Sequence, residues 1–260
     1  MRKIDKLFWS GPHKPNWGDI LNKTLFSKIS NTKPVWVNFN SRQKYYMCIG
    51  SILERATPNS IIWGSGFMSQ NGSVWSNPPG SKFTVTAVRG PLSRKKLIEQ
   101  GIDCPEVYGD PALLYPRFYN PNVKKKYKWG IIPHYKDWDN PLVNMWKDKE
   151  DSGIKVINIL NSDPNKFVRE VLECEIILSS SLHGIICGDA YGIPSYWIKL
   201  SDLVLGNGFK FKDYFCSVNR PYENPIIWDG SFDNLNLKSY TLEIDLDKLY
   251  DACPFKTNTK

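Results

Sequence analysis

Residues 175–184 read EIILSSSLHG, and this stretch decides the fold. The apolar run from Ile176 to Leu178 is typical of a buried strand, three serines form a turn, and a helical segment follows. A strand, a turn and a helix N-terminus in succession predict a parallel sheet flanked by helices. Ligands bind at the carboxyl ends of such strands. The stretch therefore predicts an anion site with a proton donor, formed by Ser180, Ser181, His183 and Gly184.

The same alternation of apolar runs and turns extends along the chain. It predicts strands at residues 6–9, 45–50, 61–64, 84–88, 129–132, 155–160, 176–179 and 196–198. Prolines, asparagines and a lysine run between residues 111 and 127 predict an interlobe linker. We therefore expect an α/β protein with two doubly wound, Rossmann-like lobes and a central cleft, residues 1–120 and 121–260. The final segment could pack back on the first lobe.

Net charge and the distribution of charged and apolar residues limit the classes of partner that the protein could bind. A formal net charge of +8 favours phosphorylated metabolites, nucleic acid or an anionic membrane face. The basic residues are dispersed and no recognition helix is evident, which argues against nucleic acid. Charges interrupt the N-terminus before a signal peptide could form, and no run reaches the ~20 apolar residues of a membrane span. We expect a cytoplasmic protein, with the lysine run favouring peripheral contact with the inner membrane face.

The six cysteines are scattered, without a Cys-x-x-Cys pair or a histidine at zinc spacing. We expect buried thiols and neither a disulfide framework nor a metal site.

Two motifs in the first half supply further candidates. Residues 16–19, NWGD, open a helix in which Asp19 either satisfies free backbone N–H groups or acts as a base on a sugar hydroxyl. In the second interpretation Asn16 and Gly18 border the ligand. Residues 63–66, WGSG, end a strand, and the backbone of Gly64, Ser65 and Gly66 could bind an anion.

Other candidates also stand at the ends of strands or near them. Arg89 follows a buried strand, where its guanidinium could grip a carboxylate or phosphate, or form an interlobe salt bridge. Asp110 would cap a tight turn. His134 follows the strand at 129–132, and Lys210 and Lys212 could complete an anion pocket or cover a surface.

Taken in order, six segments resemble the polysaccharide pyruvyltransferase family, most closely its xanthan-type ketal members: residues 16–19, 63–66, 87–91, 107–111, 180–184 and 190–194. The resemblance implies a glycosyltransferase-B-like pair of lobes and pyruvyl transfer from phosphoenolpyruvate to two hydroxyls of a sugar. It also implies that no metal or other cofactor takes part. The acceptor would be a lipid-linked oligosaccharide or related glycan in exopolysaccharide or capsule synthesis.

The resemblance also implies roles for residues. His183 and Arg89 would form the heart of the donor site, with a protonated His183 as the acid and Asp19 or His134 as the base. Many family members carry arginine directly before Leu-His-Gly, where this chain has Ser181. The serine amides, Lys210 or Lys212 would have to compensate.

Two other classes remain as alternatives. A glycosyltransferase with a nucleotide-sugar donor could use the same scaffold, because fold does not determine chemistry. A basic nucleic-acid-binding module is the non-enzymatic alternative.

Overall fold

Two five-stranded parallel sheets form the framework of the protein in the computed structural model, which describes residues 5–11, 16–74, 83–221, 224–233 and 235–257. The first sheet has the order β2-β1-β3-β4-β5. Its strands are β1 (Lys6–Phe8), β2 (Val35–Trp36), β3 (Tyr45–Met47), β4 (Ser60–Trp63) and β5 (Thr84–Ala87). The two helices in this part of the chain are α1 (Trp17–Ser30) and α2 (Pro91–Glu99).

The second sheet has the order β10-β9-β8-β6-β7, again with all pairs parallel. Its strands are β6 (Tyr127–Ile132), β7 (Ile154–Val156), β8 (Cys174–Ser179), β9 (Ser195–Lys199) and β10 (Ile226–Ile227). The helices here are α3 (Pro141–Asn144), α4 (Pro164–Leu172), α5 (Leu182–Ala190), α6 (Phe209–Ser217) and α7 (Leu246–Asp251). The predicted α/β class with parallel sheets is confirmed.

All eight predicted strands are present, with bounds that differ by a few residues. The largest difference is at 155–160, where β7 ends at Val156. The sequence analysis missed β2 and β10. Both are two-residue edge strands, too short to show any apolar periodicity.

Local signals explain the start of α1, which carries part of the site. The side chain of Asn16 accepts from the backbone N–H of Asp19, and the Asp19 side chain accepts from the N–H of Asn16. This reciprocal capping box satisfies two free donors. Leu21, Leu25 and Ile29 recur every four residues and are buried against the first sheet.

The segment predicted as a linker is folded and buried over its first half. Pro111–Arg117 forms a 3-10 helix, and its first five residues are buried. Asp110 caps it and proline occupies its first position, which starts a helical turn. The apolar side chains of Leu113, Leu114 and Tyr115 pack among α1, α5 and α7. The segment is thus part of the core between the lobes.

The end of the chain lies against the first lobe. The indole Nε1 of Trp63 donates to the carbonyl of Leu249 in α7 at 2.9 Å. The ring of Phe255 contacts the rings of Phe26, Tyr46 and Trp63 at centroid distances of 4.5, 5.0 and 5.3 Å. Burial of these aromatic groups anchors α7 there.

The cysteines are six free thiols, and five are buried. The prediction that the cysteines are small buried side chains is confirmed for these five. No helix in the described part of the chain is long and apolar enough to cross a membrane.

Candidate active site

A cleft of about 240 Å³ lies at the carboxyl ends of strands from both sheets. Residues from the first half that line it follow β1, β3 or β4 or begin α1. Residues from the second half follow β6, β7 or β8 or belong to α6. The lining is Ser10, Gly11, Asn16, Asp19, Gly50, Ser51, Ile52, Arg55, Met68, His134, Tyr135, Ile159, Ser181, Leu182, His183 and Lys210. Six residues predicted for the site therefore line this one cleft: Asn16, Asp19, His134, Ser181, His183 and Lys210.

His183 is the second residue of α5 and is 9% exposed. Its Nδ1 lies 3.1 Å from Oδ1 of Asn16. That oxygen already accepts from the N–H of Asp19, so the neutral imidazole carries its proton on Nδ1 and donates it to Asn16. The other nitrogen, Nε2, has no hydrogen-bond partner among the described residues and lies 3.9 Å from Oδ2 of Asp110.

Gly18 makes room for this imidazole. A Cβ at position 18 would lie 2.3 Å from two atoms of the His183 ring. The sequence predicted that a ligand approaches Gly18. In the structure the side chain of His183 packs against this glycine.

The electrostatic setting keeps His183 neutral in the protein on its own. Burial, followed by the positive charges of Lys210 and Arg89 and by the nearby His134, lowers its pKa to about 3. The protonated His183 expected from the sequence therefore requires negative charge to enter the cleft.

Lys210 gives the cleft its buried positive charge. The residue is 6% exposed, and its Nζ forms no hydrogen bond or ion pair with the described part of the chain. Burial, together with the charges of Arg89 and Lys136 and against the opposing effect of Asp137, lowers its pKa to about 8, so the amine is mostly charged at pH 7. A buried ammonium without an acceptor favours an anionic ligand strongly.

Asp19 and His134 differ as candidate bases. Burial raises the pKa of Asp19 to about 7, against the opposing effect of hydrogen bonds from Asn16. Asp19 takes part in the capping box of α1 and also lines the cleft. The Nδ1 of His134 accepts from the N–H of Lys136 at 3.3 Å, which leaves the proton on Nε2. Burial and the charges of Lys210 and Lys136 lower the pKa of His134 to about 3, so it is the weaker base.

Arg89 is fully buried and does not line the cleft. Its Nε and Nη2 contact Oδ2 of Asp213 in α6 at 3.0 and 2.9 Å. Its Nη1 donates to Oγ of Ser51, and Nη2 also donates to the carbonyl of Phe67, both at 2.7 Å. The structure thus has the interlobe salt bridge that the sequence left as the alternative. Arg89 reaches the cleft only through Ser51, and no geometry supports a direct grip on substrate.

The turn at residues 64–66 packs against the protein instead of opening to a ligand. The N–H groups of Gly64 and Gly66 donate to the carbonyls of Ala87 and Gly50, and Ser65 Oγ donates to that of Cys48. At Gly66 a Cβ would collide with the guanidinium of Arg89. The turn has a packing role, and its predicted contact with an anion has no support in this geometry.

The other predicted residues lie around the cleft rather than in it. Ser180 Oγ donates to Asp137 and accepts from the backbone N–H of His134, each at 2.8 Å. Ser180 and Lys212 line a neighbouring cavity of about 680 Å³. A Cβ at Gly184 would collide with Ser179, so this glycine serves packing.

Ser181 is placed as the sequence predicted. Its side chain makes no capping bond to α5, and the residue lines the cleft. Leu182 and His183, the first two residues of the helix, line the same cleft, and the first N–H groups of a helix have no partner within it. Among the described residues, no three His, Cys, Asp or Glu side chains are grouped to hold a metal ion.

Sequence reasoning missed three residues at the site. Asp110 was taken only as a turn cap, which it is, but its second oxygen faces His183. Ser51 and Arg55 follow β3 and line the cleft. The only signal for Arg55 was its position as a cation shortly after a strand.

Comparison with known proteins identifies the family of this chain. The model of the polysaccharide pyruvyl transferase family matches residues 21–202. The chain belongs to this family. The family predicted from the six sequence motifs is confirmed, and with it the class of enzyme, a pyruvyltransferase.

Two relatives are similar along most of the chain. One is the uncharacterized protein L143 of Acanthamoeba polyphaga mimivirus, 28% identical over 214 residues, which are 76% of this chain and 69% of that protein. The other is the succinoglycan biosynthesis protein ExoV of Rhizobium meliloti (strain 1021), 27% identical over 225 residues. That match covers 83% of this chain and 65% of ExoV. The chain thus spans about two thirds of the length of both relatives.

Proposed function

We propose that this pyruvyltransferase transfers the pyruvyl group of phosphoenolpyruvate to two hydroxyls of one sugar, forming a ketal, in exopolysaccharide or capsular polysaccharide synthesis. The two lobes would be arranged as in glycosyltransferases of the B type. The observation that carries the proposal is the cleft itself. The ammonium of Lys210, which has no acceptor among the described residues, meets the start of α5 and the imidazole of His183 there.

The anionic groups of phosphoenolpyruvate match the positive side of the cleft. Lys210 supplies a buried charge, Arg55 a second charge on the cleft wall, and Ser181 a hydroxyl beside the free N–H groups of α5. Hydrogen bonds to charged groups contribute about 1.5 to 3 kcal/mol each. In this proposal Lys210 and Arg55 replace the arginine that many family members carry at the position of Ser181.

Binding of phosphoenolpyruvate then converts His183 into an acid. Its negative charge raises the pKa of His183, because opposite charge stabilises the imidazolium. His183 protonates the methylene carbon of the enol, and positive charge develops at the adjacent carbon. A sugar hydroxyl attacks that carbon while Asp19 accepts its proton. A second hydroxyl attacks the same carbon, phosphate leaves with the C–O bond electrons and takes up the proton of that hydroxyl, and the ketal ring closes.

Asp19 suits the role of base better than His134. Its pKa of about 7 lies near neutral pH, where a general base is most effective. His134, with the lower pKa and Nδ1 engaged by Lys136, is better placed to donate from Nε2.

The neighbouring cavity of about 680 Å³ suits the acceptor, a lipid-linked oligosaccharide or related glycan. Consecutive residues connect the two spaces, because Ser180 lines this cavity and Ser181 the cleft. Trp197 lies on the cavity wall, stacked on Phe211 at a centroid distance of 4.2 Å. Aromatic faces of this kind pack well on sugar rings.

The remaining parts of the proposal concern the setting of the reaction. We propose a cytoplasmic enzyme, with peripheral contact at the inner membrane face, that needs no metal ion or cofactor beyond its donor and binds no nucleic acid. Assays with and without a chelator test the metal requirement, and binding to vesicles of anionic lipid tests the membrane contact.

The decisive experiment incubates the protein with phosphoenolpyruvate and candidate lipid-linked glycans, and follows phosphate release and the mass gain of the glycan. We expect one pyruvyl ketal per acceptor. His183→Ala should lower turnover by roughly 10² to 10⁴, the usual contribution of a positioned acid, with an unchanged melting temperature. Product formed from nucleotide sugars and not from phosphoenolpyruvate would overturn the proposal in favour of a glycosyltransferase.

A further inference from the structure

Two buried polar atoms without partners face each other behind the cleft. Oδ2 of Asp110 and Nε2 of His183 each have no hydrogen-bond partner among the described residues. They lie 3.9 Å apart. Buried polar atoms are rarely left unpaired, and such exceptions often mark catalytic groups. At this distance one small movement of the imidazole ring would form a hydrogen bond once Nε2 carries a proton.

The chain holds the carboxyl of Asp110 rigidly in this place. Its Oδ1 accepts from the N–H of Ala112 at 3.0 Å, which starts the 3-10 helix. The preceding Gly109 has a φ of 132° and donates to the carbonyls of Val88 and Arg89. Asp110 is 1% exposed and does not line the cleft. It therefore lies behind the ring, whereas Asn16 and His183 line the cleft.

The other groups around the imidazole ring differ from Asp110 in their charge or in the partners that they already have. Asn16 from α1 offers an oxygen at Nδ1, while Lys210 from α6 and Arg89 after β5 bring positive charge. His134 after β6 is neutral and Asp19 is engaged with Asn16. Among these groups, Asp110 is the acidic side chain within salt-bridge distance of the imidazole.

We propose that Asp110 is a positioning residue of the pyruvyl transfer, accepting a hydrogen bond from Nε2–H of His183 when the donor is bound. This inference rests on the proposed function. Free His183 carries one proton, on Nδ1. On donor binding Nε2 takes up a second proton from solvent and pairs with Asp110. The Nδ1 proton, held by Asn16 until then, goes to the methylene carbon, and the ring is left neutral with its proton on Nε2.

The titration of the two groups agrees with this sequence of events. Burial raises the pKa of Asp110 to about 6, opposed by the N–H of Ala112 and the charge of Arg89, so the carboxyl is mostly ionised at pH 7. Burial lowers the pKa of His183, so the imidazole is neutral there. The pair thus enters the reaction with a carboxylate ready to accept and an unprotonated Nε2.

Asp110→Asn tests the inference with little change of shape. The amide oxygen can keep the bond to Ala112, but the amide NH₂ would donate to Nε2 and hold His183 in its neutral form. We expect turnover to fall by roughly 10² to 10⁴, as for loss of the carboxylate in comparable acid–imidazole pairs. The Michaelis constant for phosphoenolpyruvate should change less than about threefold, because Asp110 does not touch the donor.

Asp163→Asn is the matched control. Asp163 caps α4 by the same bond, Oδ1 accepting from the N–H of Asn165 at 2.8 Å, and lies outside the cleft. Its turnover should equal that of the unchanged protein. A purely structural role for Asp110 predicts a lower melting temperature with normal turnover, and that result would overturn the inference.

Proton uptake supplies an independent readout. Calorimetry of phosphoenolpyruvate binding at about pH 7.5, in buffers that differ in ionisation enthalpy, counts the protons bound. We expect the unchanged protein to take up close to one proton more than His183→Gln, and Asp110→Asn to resemble His183→Gln. Equal uptake by all three proteins refutes the pairing. Failure of the unchanged protein to bind or use phosphoenolpyruvate would instead overturn the proposed function.

Discussion

Gly18→Ala should disable the enzyme without unfolding it. The added methyl group would lie 2.3 Å from the His183 ring, whereas ordinary contacts begin near 3.4 Å. The imidazole must therefore move by at least about 1 Å. Such a shift breaks the contact between His183 and Asn16 and misplaces the acid. Misplacement of a reacting group by about 1 Å can lower the rate by roughly 10²-fold, so we expect a loss of that size.

The effect on stability should be much smaller. Overpacking lowers the free energy of unfolding by about 1 to 3 kcal/mol. Replacing glycine by alanine in a helix raises it by roughly 1 kcal/mol, which offsets part of that loss. The assay compares phosphate release with the thermal midpoint. Ser27→Ala on the outer part of α1, where the side chain bonds only to the carbonyl of Lys23, serves as the control. Normal turnover in Gly18→Ala would refute the close packing of Gly18 against His183.

Two further predictions concern the stability of the fold. Asp213→Asn removes one partner of the buried pair with Arg89 and should lower the free energy of unfolding by about 3 to 5 kcal/mol, measured by denaturant titration; a change below about 1 kcal/mol would contradict it. His134 and His183 have pKa values lowered to about 3 in the folded protein, so the stability they contribute is present above pH 6.5 and lost as pH falls toward 3. Replacing both by glutamine should flatten the loss of stability over that pH range, and an unaltered acid profile would count against the shifted pKa values.

The sequence was a good guide where local rules decide the structure. Apolar runs and turns located every strand of more than two residues, and the strand ends placed Asn16, Asp19, His134 and His183 at one cleft. This works because the carboxyl ends of parallel strands meet at one edge of a sheet.

The errors arose where contacts between distant segments decide. Arg89 and Asp213 are 124 positions apart, and only their docking determines whether the guanidinium faces the cleft or the protein. The turn at residues 64–66 was misjudged for the same reason, because its space is filled by Arg89 and Pro111. The sequence also could not predict that His183 is neutral, because burial and neighbouring charges lower its pKa.

Catalysis and lobe docking depend on the same contacts. Asn16 and Asp110 come from the first half of the chain and face the two nitrogens of His183 from the second half. Close to them, Gly90 has no room for a Cβ because the backbone of Asp213 fills that space. A separation of the lobes by even 1 Å would strain the salt bridge of Arg89, weaken the bond between His183 and Asn16, and move Asp110 away from Nε2. These contacts argue that the donor enters through the mouth of the cleft, and that the lobes stay docked during the reaction.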